Sequence, residues 1–444
     1  MNTPISDFIK KYNDSGSTRL HMPGHKGKNS LNQWDITEID GADSLFYPNG
    51  IIRESEENAS KLFGTYKTCY STEGSSLCIK AMLQLAKMYK NTEGRGYVIA
   101  GRNAHTAFIS ASILADFDIK WIYPKSDKSY LSCEINPSEL DSILSKANKL
   151  PFAVYVTSPD YLGNISDIEG IAKVCKKHNV ILIVDNAHGA YLKFTEKSQH
   201  PIDLGADMCC DSAHKTLPVL TGGAYLHISK NAPLFFNEHV KSTMCLYGST
   251  SPSYLILDSL DKANAYIDSG AYKNQLLEVT KLTNQLKKRL EGCGYSFIGD
   301  EKAKITIDAK KYGYQGDLLS SLLIKESIIP EFYDKDIVVL MVSSENTKLE
   351  LEKLENALLS IPKKDAISKQ AFTYTPLTQK MSTRDGFTSE KVLIGVDNSL
   401  GCVFASQSIS CPPAVSIAVS GEVINESTIE LFKYYGVEKI YIKN

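Results

Sequence analysis

The chain has 444 residues, of which 43% are hydrophobic and 23% are charged, and its formal net charge is -2 at pH 7. This length predicts two or three domains, and the near balance of charge argues against a nucleic-acid or membrane-surface partner. The first residues do not form a basic segment followed by an apolar run, and no apolar stretch approaches the roughly eighteen residues of a membrane span. We therefore expect a cytoplasmic protein.

The cysteines and histidines predict no metal site. The 10 cysteines are scattered without a Cys-x-x-Cys pair, so most are expected to be small buried hydrophobes. His21 and His25 are four residues apart. Pro23 and Gly24 lie between them and oppose the helix that would place both rings on one face.

Short apolar runs alternate with helical patterns in the first half of the chain. The apolar runs lack polar alternation, as expected for strands covered on both faces. This alternation predicts an α/β domain with a mostly parallel sheet. The predicted strands are 96–101, 120–124, 152–157, 180–185 and 206–210, and the predicted helices between them include 75–89 and 168–178.

The apolar run 223–228 follows the preceding predicted strand closely. No crossover helix fits in so short a connection, so this strand is predicted to be antiparallel. Helices over 255–269 and 276–290 follow, and strands over 304–308 and 337–342 predict a smaller α/β domain. A polar stretch over 360–370 leads to a C-terminal segment that begins at about 371.

Lys215 lies in the run Ser212-Ala213-His214-Lys215-Thr216, directly after a buried predicted strand. Most lysines are solvated, and an ordinary surface lysine is the alternative interpretation. The strand 206–210, however, is predicted to carry this lysine from the sheet edge into the interior. A lysine whose pKa is lowered by burial can form a Schiff base with an aldehyde.

Asp185 stands at the carboxyl end of the predicted strand 180–185. Ligands of open α/β sheets bind beyond the carboxyl ends of the strands. A helix cap or a turn is the alternative role for this carboxylate. Together with Lys215, it suits pyridoxal 5'-phosphate (PLP), because an acid partner keeps the pyridine nitrogen of that cofactor protonated.

Two further loops carry candidate cofactor contacts. The run 71–76 places Gly74 and several hydroxyl groups just before a predicted helix, where backbone N–H groups can bind phosphate. An ordinary serine cap fits this segment equally well. His105 ends a loop after another predicted strand and could stack on a cofactor ring, although a structural role is the commoner one for a lone histidine.

Taken in order, these residues resemble the PLP-dependent ornithine/lysine/arginine decarboxylases of the aspartate-aminotransferase fold (fold type I), in their shorter bacterial branch. The resemblance begins at 19–27 and covers nearly the whole chain. Asp185-Asn186-Ala187-His188-Gly189-Ala190 is similar to the family's Asp-Glu-Ala-His-Gly-Ala. Ser212-Ala213-His214-Lys215-Thr216-Leu217 is similar to its Ser-x-His-Lys-Thr-Leu, and 249–254 resembles another signature stretch.

The resemblance implies a role for each matched residue. It makes Lys215 the Schiff-base lysine, Asp185 the partner of the pyridine nitrogen, His105 the stacking residue and Ala187 the small residue on the other ring face. It also implies a homodimer at least, a small amino-acid substrate and a place in polyamine biosynthesis. The residues implied for the phosphate end of PLP are Ser75, Ser76, Ser212 and His214.

The resemblance also implies a domain scheme. It comprises an N-terminal arm (1–30), a PLP-binding large domain (31–255), a small α/β domain (256–365) and a C-terminal domain (366–444).

Three departures from the family pattern concern the site. Asn186 stands where the family has glutamate, and Glu73 lies in the phosphate loop, where smaller residues are commoner. The run 411–416 replaces the family's Tyr-Pro-Pro-Gly-Ile-Pro. The distal cation of a basic substrate needs a carboxylate, because burying it unpaired costs several kcal/mol. Glu422 and Asp43 are the candidates, although both also suit turns.

The leading functional prediction is α-decarboxylation of lysine, arginine or ornithine. An aminotransferase or lyase reaction on the same fold is the first alternative. An aminotransferase usually grips the substrate carboxylate with a late arginine, and none of the later arginines lies in such a motif. A non-catalytic PLP-binding homologue is the third possibility, because the C-terminal motif is altered.

Overall fold

The computed structural model describes residues 1–91, 94–124, 129, 131–369, 375–411 and 415–444. The predicted start of the C-terminal segment at about 371 and the middle of the altered run 411–416 lie outside the described residues. Within the described ranges, no helix is both long enough and apolar enough to cross a membrane.

The α-helices are α1 (Pro4–Asp14), α2 (Ile51–Phe63), α3 (Gly74–Lys90), α4 (Thr106–Ala115), α5 (Pro137–Ser145), α6 (Ile168–Lys177), α7 (Ala213–Thr216), α8 (Leu234–Cys245), α9 (Tyr254–Asp268), α10 (Ala271–Gly292), α11 (Gly316–Lys325), α12 (Lys348–Ser360), α13 (Thr383–Thr388) and α14 (Glu426–Tyr434). Short 3-10 helices span Ala190–Phe194, Lys310–Tyr312 and Val396–Asn398.

The strands are β1 (Lys67–Ser71), β2 (Tyr97–Gly101), β3 (Asp118–Ile122), β4 (Ala153–Thr157), β5 (Ile181–Asp185), β6 (Met208–Asp211), β7 (Ala224–Ile228), β8 (Phe297–Ile298), β9 (Lys304–Asp308), β10 (Phe332–Tyr333), β11 (Ile337–Met341), β12 (Thr378–Gln379), β13 (Lys391–Gly395), β14 (Ser408–Cys411), β15 (Val415–Val419), β16 (Glu422–Val423) and β17 (Lys439–Lys443).

The chain divides into two compact units, each built from two stretches of sequence. Unit 1 comprises Met1–Thr92 and Ile168–Gln275, and unit 2 comprises Glu93–Asp167 and Leu276–Asn444. This division follows spatial compactness and cuts across the four consecutive segments of the sequence-based domain scheme. That scheme remains a prediction.

Unit 1 holds four strands in the order β1-β7-β6-β5. β5 and β6 are parallel, whereas β7 is antiparallel to both β6 and β1. The predicted antiparallel strand after Lys215 is therefore confirmed. Every residue of β5, β6 and β7 is buried, as the continuous apolar runs predicted.

Unit 2 holds the strands β4-β2-β3, which pair in parallel, and the antiparallel sheet β10-β11-β9-β8. Three two-stranded antiparallel pairs, β12·β16, β13·β17 and β14·β15, lie in the C-terminal part. The α/β class and the mostly parallel sheet are thus confirmed. The strand predicted at 120–124 is placed two residues too late, since β3 spans Asp118–Ile122.

Candidate active site

Strand β5 carries Asp185 to the carboxyl end of the unit 1 sheet. Asp185 is only 2% exposed, and its Oδ1 accepts the backbone N–H of Ala187 at 3.1 Å. The thiol of Cys210 lies 3.7 Å from the same oxygen. The turn after β5 and the neighbouring strand therefore fix this carboxylate at the edge where ligands of such sheets bind.

Strand β6 and the short helix α7 position Lys215. β6 pairs with β5 so that Cys210 lies opposite Asp185. The Lys215 side chain is half-buried, and its Nζ lies 3.0 Å from Nε2 of His188 in the turn after β5. A ring nitrogen at this distance can accept a proton from the lysine and return it, provided that the neutral ring carries its own hydrogen on Nδ1.

The N-terminus of α3 has the features of an anion-binding site. Gly74 has a left-handed φ of +68°, a conformation that glycine adopts without strain, and its N–H donates to the carbonyl of Gly222 at 2.7 Å. Among the described residues, no side chain caps this helix. The first-turn amides after Gly74 are therefore available to an anion. The Ser212 hydroxyl donates to that of Ser75 at 2.8 Å, which ties the start of α3 to the end of β6.

The remaining predicted cofactor contacts of unit 1 lie on the same elements. Ser76 is half-buried in the first turn of α3, and Ala187 is 9% exposed in the turn after β5. His214 Nδ1 lies 3.0 Å from the carbonyl of Gly223, so Nδ1 is the nitrogen that carries hydrogen. Burial lowers the pKa of His214; the Gly223 carbonyl opposes this shift and Lys215 adds to it.

His105 lies in unit 2, in the loop between β2 and α4. It is the N-cap of α4, and its Nδ1 accepts the N–H of Ala107 at 3.1 Å. The ring hydrogen of neutral His105 is therefore on Nε2. Its backbone also forms an antiparallel bridge with Val415 at the start of β15.

Glu422, a candidate for the distal substrate contact, already has a cationic partner. Both of its oxygens accept hydrogen bonds from Arg102, at 2.9 and 2.8 Å, and the two side chains are 0–1% exposed. Glu422 also accepts the N–H of Val419 at 2.7 Å. The guanidinium packs 4.8 Å from the Trp121 ring centroid. A structural role for Glu422 follows most directly, and the substrate contact remains a prediction.

Asp43, the second candidate, is 3% exposed and caps the start of α2. Its carboxylate oxygens accept backbone N–H groups at 2.8–3.2 Å, so this carboxylate is also occupied within its own chain. The donors are Ser44, Asn49, Gly50, Ile52 and Arg53.

Sequence reasoning gave no role to His188 or to a buried cluster around Asp211. His188 stands within the quoted Asp185–Ala190 motif, so that motif was the available signal. Asp211 Oδ2 lies 3.1 Å from Nε2 of both His200 and His227, which come from separate parts of the sequence. No local pattern links these three residues, and only the folded chain brings them together.

The Asp211 cluster includes one group of potential metal ligands. Within the described ranges, donor atoms of His200, Cys209 and Asp211 lie within 4.8 Å of one another. The distances from the Asp211 carboxylate to its histidines are those of hydrogen bonds. We therefore interpret the cluster as a hydrogen-bonded carboxylate.

Comparison with known proteins defines the class. The family model for the major domain of Orn/Lys/Arg decarboxylases matches residues 3–312, and the chain belongs to this family. The predicted enzyme class, a PLP-dependent amino-acid decarboxylase of fold type I, is thereby confirmed.

Individual relatives span almost the whole chain. An arginine decarboxylase of Bacillus subtilis is 28% identical, with 97% of this chain and 93% of the relative covered. An arginine decarboxylase of Halalkalibacterium halodurans is 27% identical, with 96% and 92% covered. The lysine decarboxylase structure of Francisella novicida matches with a TM-score of 0.80 at 16% identity, covering 100% of this chain and 81% of that one, which shows the shared fold.

Proposed function

We propose that this chain uses PLP to α-decarboxylate a basic amino acid, with L-arginine as the first candidate. One observation carries the proposal: Lys215 with its partner His188, Asp185, and the Ser75–Ser212 contact lie on adjoining strand ends and the α3 N-terminus of one unit. Arginine ranks first because relatives named arginine decarboxylase align over more than nine-tenths of their length.

The donor set of unit 1 fits PLP. Lys215 would hold the aldehyde carbon of the cofactor, and Asp185 would hold the pyridine N–H. The uncapped amides at the start of α3, with the Ser75 and Ser212 hydroxyls, would bind the phosphate. The methyl side chain of Ala187 leaves space for a flat ring. These contacts, with Ser76, His105 and His214, remain proposed ones.

When bound, PLP supplies a protonated ring that accepts the electron pair released as the substrate carboxylate leaves as carbon dioxide. The chain supplies the rest. The Asp185 carboxylate would stabilise a proton on the ring nitrogen. His188, 3.0 Å from the Lys215 Nζ, can take a proton from the ammonium and so leave the amine free to react. The same histidine can return that proton.

The arginines favour decarboxylation over transamination. Each arginine after Arg53 already forms an ion pair with a carboxylate of its own chain. None of them is therefore poised to grip a substrate carboxylate, which a transaminase retains and a decarboxylase must release. The pairs are Arg95–Asp116, Arg95–Asp385, Arg102–Glu422, Arg289–Glu355 and Arg384–Asp116.

We also propose a homodimer, on the strength of the family resemblance around 249–254. These residues begin with an exposed stretch, and the Ser249 N–H donates to Glu73 of the phosphate loop at 2.5 Å. A second subunit that packs against this stretch would therefore lie beside the proposed phosphate site. Sedimentation of the PLP-loaded protein at micromolar concentration tests this; a monomer that binds PLP tightly contradicts it.

The deciding experiment supplies PLP-loaded protein with L-arginine, L-lysine or L-ornithine and measures carbon dioxide and amine together. We expect equimolar release of carbon dioxide and amine from at least one of the three, with arginine the fastest. Lys215→Ala should lose both turnover and any borohydride-stable attachment of the cofactor. Lys193→Ala is the matched control, since Lys193 pairs with Asp203 in the same unit. Consumption of a 2-oxo acid without carbon dioxide would favour transamination instead.

A further inference from the structure

We propose that Asp211 is a positioning residue, which holds the turn carrying Asp185 and His188 in place through the side chain of Asn186. This inference rests on the proposed function, since Asp185 and His188 belong to the proposed cofactor site. The sequence alone indicated no role for Asp211, His200 or His227.

Asp211 lies where the two functional segments meet. It is the last residue of β6 and directly precedes Ser212, and it is 0% exposed. Its Oδ1 accepts the side-chain amide of Asn186 at 2.7 Å. The backbone N–H of Asn186 donates to the Cys210 carbonyl at 3.0 Å. The turn after β5 is therefore tied to β6 twice, once through the backbone and once through Asp211.

The orientation of Asn186 depends on that carboxylate. Asn186 is 0% exposed, and its Oδ1 has no hydrogen-bond partner among the described residues. The contact between its Nδ2 and Asp211 thus selects which way the amide faces. Because Asn186 lies between Asp185 and the Ala187–His188 pair, loss of this side-chain contact would loosen the backbone that aims both functional groups.

Neighbouring side chains hold Asp211 as an anion. Burial alone would raise the pKa of Asp211, but His200 and His227 outweigh burial and hold it well below its ordinary value. His227 Nδ1 lies 2.8 Å from the Thr68 hydroxyl, which can donate to it. The Nε2 hydrogen of a neutral His227 then points at Asp211. His200 packs beside the ring of Phe63, and its Nε2 is the second imidazole donor to Asp211.

This arrangement explains the departure at position 186. A carboxylate there, of the kind that the resembled family carries, would face the Asp211 carboxylate in a site without solvent. Two adjacent buried carboxylates cannot both ionise, so one would have to take up a proton. An amide at 186 and a carboxylate at 211 form a matched donor and acceptor, and the opposite assignment would match equally well.

Exchanging the two side chains tests the coupling with little change in size. We expect Asn186→Asp to weaken PLP binding at least about tenfold. A tenfold change in the dissociation constant corresponds to about 1.4 kcal/mol. This lies within the range that an unsatisfied buried polar group costs. Asp211→Asn should have a smaller effect, since the Asn186 amide can turn over to accept from the new amide. The double variant Asn186→Asp/Asp211→Asn should return within about threefold of wild type.

The control and readouts separate positioning from general destabilisation. Asn264→Asp alters another buried amide of unit 1, one that contacts Tyr70 and Tyr225 instead of the proposed site. It should lower the melting temperature without changing the PLP dissociation constant. The Asn186 and Asp211 variants should also shift the pH dependence of the cofactor absorption band, which a purely structural role would leave unmoved.

The possible results are distinct. Loss of PLP binding in Asn186→Asp and its recovery in the double variant support the proposal. If Asn186→Asp binds PLP with wild-type affinity, or if the double variant is as weak as the worse single variant, the proposal is overturned. If wild-type protein binds PLP but Lys215→Ala retains the covalent link, the proposed function fails instead, and the Asn186–Asp211 coupling can still be measured as a double-mutant cycle of unfolding.

Discussion

Two buried carboxylates, Asp211 in unit 1 and Glu422 in unit 2, are held by different partners. Asp211 takes hydrogen bonds from one amide and two imidazoles. Glu422 takes two hydrogen bonds from the guanidinium of Arg102 and one from a backbone amide. Both are 0% exposed, so each depends entirely on its protein partners for the solvation it has lost.

The difference predicts how each region responds to change. The Arg102–Glu422 pair should be very sensitive to the loss of either partner, because the charge that remains would be buried alone. In the Asp211 cluster, burial lowers the pKa of His227, and the two histidines outweigh burial and lower the pKa of Asp211. The cluster should respond to pH, and its effect should reach the site through Asn186.

The largest expected effect is on the stability of unit 2. Arg102→Met leaves the Glu422 carboxylate buried without its cation, which typically costs about 3–5 kcal/mol of unfolding free energy. Urea unfolding measures this loss. The double variant Arg102→Met/Glu422→Leu should recover most of it, because a buried pair can often be replaced by apolar side chains of similar volume. A single variant within about 1 kcal/mol of wild type would contradict a well-paired buried charge.

A second effect, on rate, separates Asp185 from both of the other carboxylates. Asp185→Asn preserves the shape of the side chain but removes the charge proposed to stabilise the ring nitrogen. We expect turnover to fall at least about a hundredfold, equivalent to about 2.7 kcal/mol of transition-state stabilisation. Steady-state amine release measures the loss, and urea unfolding should stay within about 1 kcal/mol of wild type. Near-normal turnover would remove Asp185 from the proposed role.

The sequence was informative where function depends on local order. The apolar run before Asp185 and the run before Lys215 predicted two buried strands, and β5 and β6 are both buried throughout. Two parallel neighbouring strands end at one edge, so the proximity of the Asp185 and Lys215 segments followed from the pattern. The antiparallel β7 followed from the shortness of its connection.

The sequence was uninformative where function depends on pairing between distant residues. Arg102 and Glu422 are 320 residues apart, and nothing local indicates that one neutralises the other. Asp43 looked like a turn residue or a substrate contact, and its five amide donors become visible only in the folded loop before α2. The substrate side was therefore harder to predict than the cofactor side.

A third, smaller effect is the pH dependence of stability that the Asp211 cluster should cause. Burial lowers the pKa of His227 from its ordinary 6.5, although Asp211 opposes the shift. Below about pH 6.5 the unfolded chain binds a proton here that the folded chain does not, so stability should fall as pH falls, by at most about 1.4 kcal/mol per pH unit for one proton. The lowered pKa of Asp211 acts in the same direction at lower pH.

Urea unfolding at a series of pH values tests this behaviour. His227→Gln keeps a donor for Asp211 but removes the titrating ring, so its stability should depend less steeply on pH below about 6.5. The other titratable groups around His227 are retained in this variant; they are Asp211, His200 and Lys193. Arg102→Met/Glu422→Leu should keep the wild-type slope. Equal slopes in wild type and His227→Gln would show that the cluster is not the source.

The smallest expected effect concerns Asp43, a carboxylate held by neither imidazole nor guanidinium. Asp43→Asn keeps one oxygen for the amides at the start of α2 and places an NH2 group where the other oxygen accepted them. We expect a loss of about 1 kcal/mol in unfolding free energy, as for a weakened helix cap. Because the carboxylate is already occupied by five backbone donors, KM for arginine, lysine and ornithine should stay within about twofold of wild type. A tenfold rise in KM at unchanged stability would instead return Asp43 to the substrate site and separate it from the structural carboxylates.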